Sequence, residues 1–206
     1  MTDDPAIPTS SRRGFIRTST AFAAAATLMP ASALAEESVE DFIARISGQI
    51  LSVVNSGAPS GTKKKQFREM LNTYADIPTI AVFSLGKYAR RLNDKDRETY
   101  YGLVVDYISH IFALHAEGFS GEKVSILGSS QRSEREMLVS SKVRFANGRS
   151  LPVAWRVLKA PKGYKVFDVS VNGIWLAIQQ RSEFTSVIQR NNGSIKALLD
   201  FLGNRA

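Results

Sequence analysis

The chain contains no cysteine. That removes disulfides, thiolate-held metals and cysteine nucleophiles together. It does not fix the compartment, because a chain of 206 residues can bury a full core without a covalent staple. Histidine is nearly absent too, with His110 and His115 alone. Five residues apart on a helix, they project roughly 140° apart and cannot grip one metal from one face. No Gly-x-Gly-x-x-Gly or Walker-type loop is present to cradle a phosphate, and no Gly-x-Ser-x-Gly marks a nucleophile elbow. No two carboxylates stand at a spacing that predicts a catalytic pair. Asp168, in an apolar segment, reads as a buried acid satisfied by a neighbouring arginine such as Arg156. An enzyme is therefore the weaker expectation, with no catalytic residue, metal or cofactor assigned. Long apolar runs are missing as well. The longest, Ala21 to Met29, falls well short of the about 20 residues a permanent spanning helix needs.

What is present is positive charge. The formal net charge is +8 and the isoelectric point about 9.8. Basic residues are scattered apart from the run Lys63-Lys64-Lys65, and no basic stripe is interleaved with aromatics as single-strand nucleic-acid binding requires. Nucleic acid is thus not expected as a partner. Two readings stay open: an ordinary solvated surface, and attraction to an anionic membrane, worth about 1 kcal/mol per nearby Lys or Arg.

The N-terminus reads as an address. Ser11-Arg12-Arg13-Gly14-Phe15-Ile16-Arg17 resembles the twin-arginine export signature. The short apolar stretch follows, and Ala33-Leu34-Ala35 fits a small-x-small cleavage site, with Ala31-Ser32-Ala33 as the alternative. Cleavage after Ala35 removes Arg12, Arg13, Arg17, Asp3 and Asp4 and leaves one domain, 36–206, still basic. The expected compartment is the periplasm.

Apolar spacing predicts helices over Val39–Val54, Thr62–Tyr74, Asp76 to about Arg91, and Asp94 to about Glu117, with Asp76 and Asp94 as caps. The fourth carries an unusually broad apolar surface: Tyr101, Val104, Ile108, Ile111 and His115 in one stripe, Tyr100, Tyr107 and Leu114 in the next, widened by Val105 and Phe112. Such breadth fits a central core helix or the wall of a cavity. The period then changes to two. Lys123–Leu127, Glu136–Phe145, Leu151–Lys159, Tyr164–Val171 and Ile174–Ile178 read as strands, with Gly128–Gln131 as a loop. Asn147-Gly148, Pro161-Lys162-Gly163 and Asn172-Gly173 mark tight turns, so the sheet should be mainly antiparallel. Two helices follow, about Gln180–Arg190 and Ser194–Leu202. Helices first and a meander after predict an α+β fold in a single domain.

Three segments together resemble the MlaC family, also called the toluene-tolerance auxiliary family. They are Phe83-Ser84-Leu85-Gly86-Lys87-Tyr88-Ala89-Arg90; Asp96-Arg97 with Tyr100; and Gly163-Tyr164-Lys165-Val166-Phe167-Asp168-Val169-Ser170-Val171-Asn172-Gly173-Ile174, continued by Leu176 and Arg181-Ser182-Glu183-Phe184. Order and spacing match over about residues 38 to 203. Trp175 stands where a small polar residue is expected, Asn172 where an acid is common, and Ala89 replaces a bulkier residue. The resemblance implies N-terminal helices packed on a strongly curved sheet of about five strands, NTF2- or cystatin-like, with C-terminal helices and an apolar pocket. It implies a monomeric shuttle for phospholipid, exchanging with an inner-membrane ABC transporter bearing an MCE-type subunit and with an outer-membrane lipoprotein complex. A related branch associated with hopanoid metabolism makes a polycyclic lipid the alternative cargo. A lipid-modifying enzyme or a docking module of the same fold are the other readings.

A carrier needs a deep apolar pocket with few headgroup contacts. The expected lining is the inner sheet face and the helices opposite: Phe83, Tyr88, Val104, Tyr107, Ile108, Ile111, Val139, Val143, Val153, Trp155, Phe167, Val169 and Trp175. Arg90 is expected at the mouth, where its guanidinium could meet a phosphate. For each of these residues the alternative is ordinary core packing or a surface ion pair.

Overall fold

The computed structural model describes residues 37–116 and 121–205. The expected export signal and the expected cleavage site lie outside the described residues, as does the predicted helix stop at Gly118. Helix α1 spans Val39–Asn55, with the Ser38 hydroxyl accepting from the Asp41 amide. Its buried face is Phe42, Ile43 and Ile46, the spacing that puts side chains on one side of a helix. Helix α2 spans Ser60–Tyr74. Its Lys63 is buried, and its Nζ donates to the Val54 carbonyl at 2.8 Å, in the last turn of α1. One member of the basic run is therefore a structural cap rather than a surface charge, satisfying a carbonyl that the helix end leaves without a partner. Lys63→Met should lower unfolding free energy by about 1–2 kcal/mol in urea denaturation, since a charged donor is lost from a buried acceptor.

Helix α3 spans Ile77–Leu85, capped by the Asp76 carboxylate accepting from the Thr79 amide at 3.0 Å. The expected continuation to Arg91 is not α-helical. Gly86 adopts φ +54° and ψ −125°, and Gly86–Arg91 continues as 3-10 helix. A β-carbon at Gly86 would lie 2.7 Å from Arg181 Nε, so glycine serves both the turn and the close approach. Helix α4 spans Asp94–Ala116. Its cap is Asn93, whose Oδ1 accepts from the Asp96 amide at 2.8 Å, and not Asp94 as expected.

The breadth of α4's apolar surface has two causes. One side carries Tyr100, Val104 and Tyr107 into a helical core. The other faces α2, where Phe112 stacks on Phe67 at 3.7 Å between centroids and Asp106 pairs with Arg68. His115 is exposed, its Nδ1 against the Ile111 carbonyl at 2.8 Å.

Five antiparallel strands follow in the order β1-β2-β3-β4-β5. They are β1 Gly121–Gln131, β2 Glu136–Phe145, β3 Ser150–Ala160, β4 Gly163–Val171 and β5 Ile174–Trp175. The segment read as a loop, Gly128–Gln131, continues β1 through an irregularity between Ile126 and Gly128, where Gly128 has φ +135°. Asn172 and Gly173 both take positive φ, the two-residue turn that matches strand twist. The fifth strand stops after two residues because Leu176 already opens helix α5, Leu176–Arg190, earlier than expected. Helix α6, Ile195–Gly203, closes the chain.

The apolar interior is divided. One cluster joins α3, α4, α5 and α6 around Leu85, Tyr100, Phe184, Ile188, Leu198 and Leu202. Within it the Tyr100 hydroxyl donates to the Ala81 carbonyl and bonds the Ser84 hydroxyl at 2.9 Å, tying α4 to α3. The second cluster joins α1 to the sheet through Phe42, Ile43, Ile46, Val139, Val153, Trp155 and Val157. The two share no buried residue. Each large apolar side chain fully buried in either contributes about 1.5–3 kcal/mol relative to exposure.

Candidate lipid-binding site

The thirteen residues expected to line a pocket fall into three groups. On the helical side, Val104 is fully buried, Tyr88 and Tyr107 are buried, and Ile108 and Ile111 lie half-buried at the cluster's edge. On the sheet side, Val139 is fully buried, Val143, Val153 and Trp155 are buried, and Val169 is half-buried against them. Phe83, Phe167 and Trp175 are half-buried and belong to neither cluster.

Strand pairing explains the sheet group. Val139 opposes Trp155, Ser141 opposes Val153 and Val143 opposes Leu151, so these side chains share the face that meets α1. Paired residues of an antiparallel ladder point to the same side. Trp155 has a polar edge to satisfy in this apolar layer. Its Nε1 donates to the Ser141 hydroxyl at 2.9 Å, and that hydroxyl donates to the Val153 carbonyl at 3.0 Å.

Strict alternation places Phe167 and Val169 on one face, but in the structure they do not share it. The ladder pairs Arg156 with Asp168 and Val157 with Val166, leaving Phe167 as the extra residue of a bulge. Its ring lies under the Arg156 guanidinium at 4.5 Å, and the Trp175 ring lies 5.9 Å from the same group. Phe83 is covered in the same manner by Arg181 at 5.3 Å. The three aromatics outside the clusters thus meet cations, an attraction between charge and ring quadrupole.

Arg156 anchors a larger constellation. Its Nε donates to Glu136 Oε1 at 2.8 Å, and its Nη1 stands 4.0 Å from Asp168 Oδ2. The expected Arg156–Asp168 proximity is present, but Glu136 is the nearer partner. Sequence spacing could not reveal Glu136, because it reaches Arg156 diagonally across the ladder. The Asp168 side chain is 1% exposed. Its Oδ1 accepts from the Val169 amide at 2.8 Å and from the Ala177 amide at 2.9 Å, in the first turn of α5. Its Oδ2 is buried without a hydrogen-bond partner. Burial pushes the carboxyl above its usual range, against the two amides and Arg156.

Tyr107 is committed at its polar end. Its hydroxyl donates to Glu183 Oε2 at 2.7 Å, and its ring meets Phe184 edge-on at 5.6 Å. Burial first, and the Glu183 hydrogen bond next, push its hydroxyl up to about 12. Arg90 is exposed on the 3-10 segment and has no ion pair among the described residues.

Among the described residues, clefts open at two places. One, of about 580 Å³, lies among α2, α3, α4 and β4, lined by polar groups including Arg68, Asp76, Glu98 and Lys165. The other, of about 370 Å³, is formed by Lys87, Tyr88, Arg91, Asn192 and Gly193. Of the residues expected to line the pocket, Tyr88 alone reaches either cleft. The rest pack into the two apolar clusters or beneath the guanidinium groups.

These elements define an α+β domain whose helical layer and five-stranded meander each carry their own apolar cluster. The chain belongs to the MlaC family: the family model described as MlaC protein matches residues 44–204. Among solved structures, it is similar to the phospholipid-binding protein from Ralstonia solanacearum, determined in complex with a phospholipid. That likeness has a TM-score of 0.68 at 18% identity and covers 83% of this chain and 97% of the other. None of the curated proteins matches this chain.

Proposed function

We propose that this protein is a soluble periplasmic carrier that binds a phospholipid and moves it between the inner and outer membranes as part of an ABC transport system. The observation that carries this reading is the fold. It is shared across almost the whole of a protein solved with a phospholipid bound, in a chain whose family is that of MlaC. The division of the apolar interior supports it further, because acyl chains taken up between two clusters that share no buried residue would dismantle neither.

The physical task is a transfer through water. Each methylene withdrawn from water is worth about 0.8 kcal/mol, so two long chains represent on the order of 20 kcal/mol. A carrier lowers that barrier by offering an interior about as apolar as the bilayer. It must hold the lipid no more tightly than the membranes do, which favours few fixed headgroup contacts. Periplasmic placement rests on the twin-arginine-type segment Ser11–Arg17 and cleavage after Ala35. The inner-membrane transporter with its MCE-type subunit and the outer-membrane lipoprotein complex are the expected partners. A monomer suits a diffusing shuttle.

Native mass spectrometry of the purified protein, with solvent extraction of its contents, tests the reading. The expected result is about one phospholipid per chain. A hopanoid-like mass would replace the cargo, in keeping with the unusual Trp175. A protein that carries nothing and takes up no lipid from vesicles would overturn the carrier function.

A further inference from the structure

Ile174, Leu176 and Ile178 alternate outward at the passage from β5 into α5, and they are 51%, 44% and 55% exposed. Between them Trp175 and Ala177 turn inward. Such alternation normally hides the apolar set, and here it shows it. Val82, 46% exposed, stands on α3, the helix that packs along α5. The two helices meet where Arg181 covers the Phe83 ring and closes on Gly86. Four of the six large apolar side chains most exposed among the described residues therefore belong to this one corner. Lone exposed apolar residues need no explanation, but grouped ones with a polar rim mark an interaction face.

Arg181, one turn after Ile178, is the cation at this corner, and Lys87, Arg90 and Arg91 carry the same sign along the adjoining 3-10 segment toward Gly193. No acidic residue occurs from Ile77 to Asn93 or from Val169 to Ser182. Among the described residues none of these four cations makes an ion pair. Apolar side chains flanked by cations that make no ion pair match an anionic lipid surface, where the first enter the acyl boundary and the second meet phosphates.

We propose that the corner formed by Val82, Ile174, Leu176 and Ile178, with Arg181 beside it and Lys87 and Arg90 along the adjoining 3-10 segment, seats the protein on an anionic bilayer. It is a peripheral contact with the membrane surface, separate from any lipid held inside. It goes beyond the carrier reading, since binding to a surface is read whether or not a lipid is carried.

Flotation with vesicles tests it, using the protein in the form the cell accumulates, with its N-terminus checked by mass spectrometry. Phosphatidylcholine vesicles are compared with vesicles that also contain phosphatidylglycerol. Wild-type protein should float with the anionic vesicles and be released by salt. Ile174→Ser with Ile178→Ser should weaken that partition by about tenfold or more. Lys87→Gln and Arg181→Gln should each weaken it about fivefold. Leu114→Ser and Leu127→Ser, exposed apolar positions elsewhere, should leave it unchanged, and all variants should keep the wild-type melting temperature within a few degrees. Absence of wild-type flotation with anionic vesicles would overturn the proposal. So would flotation indifferent to the Ile174 and Ile178 substitutions. Loss of lipid exchange with a protein partner in those variants, without any vesicle binding by wild type, would assign the corner to a protein and overturn it too. Lipid content measured on the same variants keeps a failure here distinct from a failure of the carrier reading.

Discussion

Asp168→Ala should lower the unfolding free energy by about 2–4 kcal/mol at neutral pH, while Asp168→Asn should stay within about 1 kcal/mol of wild type. Alanine takes the shared acceptor from the amides of Val169 and Ala177, and each buried donor left without one costs about 1–3 kcal/mol. Asparagine keeps an oxygen in place for both. With a total stability on the order of 5–15 kcal/mol, the alanine variant forfeits a large share of it. Guanidinium or urea denaturation at fixed pH measures both. The pH dependence separates them further. Because burial holds the Asp168 carboxyl above its usual range, the native state keeps this proton to higher pH than the unfolded chain does. Between the ordinary aspartate value and the raised native one, the folded protein binds more protons, so this group's contribution to stability falls as pH rises. Asparagine has no proton to lose, and stability curves of Asp168→Asn should lack that decline. An alanine variant as stable as wild type would mean that the two amides find other acceptors and that α5 does not depend on this carboxylate for its start.

The contrast between what was and was not legible in the sequence turns on the kind of interaction. Helix α1 was readable because Phe42, Ile43 and Ile46 are spaced by the helix itself. The strands were readable where β-branched runs end at Asn147-Gly148 or Asn172-Gly173, whose positive φ values are a local preference of those residues. Misreadings arose where a distant group decides local geometry. Gly86 breaks the third helix with a positive φ, at a place where Arg181 leaves no room for a β-carbon. Lys63 leaves the surface because α1 ends beside it. Phe167 leaves its expected face because β3 and β4 pair with one residue to spare. None of these is encoded in a window of a few residues. The site was legible to the same extent. Apolar type and alternation picked out Val139, Val143, Val153 and Trp155 as one buried face, and Val104 and Tyr107 as part of another. They could not say which face meets which, because a side chain in a solid core and one on a pocket wall obey the same pattern. Nor did they find Glu136, or the guanidinium groups over Phe83, Phe167 and Trp175.

Ile108→Trp and Val169→Trp should each abolish lipid loading in a protein that still folds. Both positions are half-buried, one packed at the edge of the helical cluster and the other at the edge of the sheet cluster. If acyl chains lie between the two clusters, an indole entering from either one displaces several methylenes, each worth about 0.8 kcal/mol of lipid binding. The loss should exceed tenfold in lipid retained per chain, read by native mass spectrometry after equilibration with vesicles. Overpacking a solid core is a different event. It costs about 1–3 kcal/mol of stability and leaves binding elsewhere untouched. Val104→Trp supplies that comparison, because Val104 is 0% exposed within the helical cluster. It should lower the unfolding midpoint more than Ile108→Trp or Val169→Trp does. Normal loading in a folded Ile108→Trp protein would remove α4 from the pocket wall, and normal loading in Val169→Trp would remove the outer part of the sheet face. Normal loading in both would place the acyl chains away from these two positions, with the clusters serving stability alone.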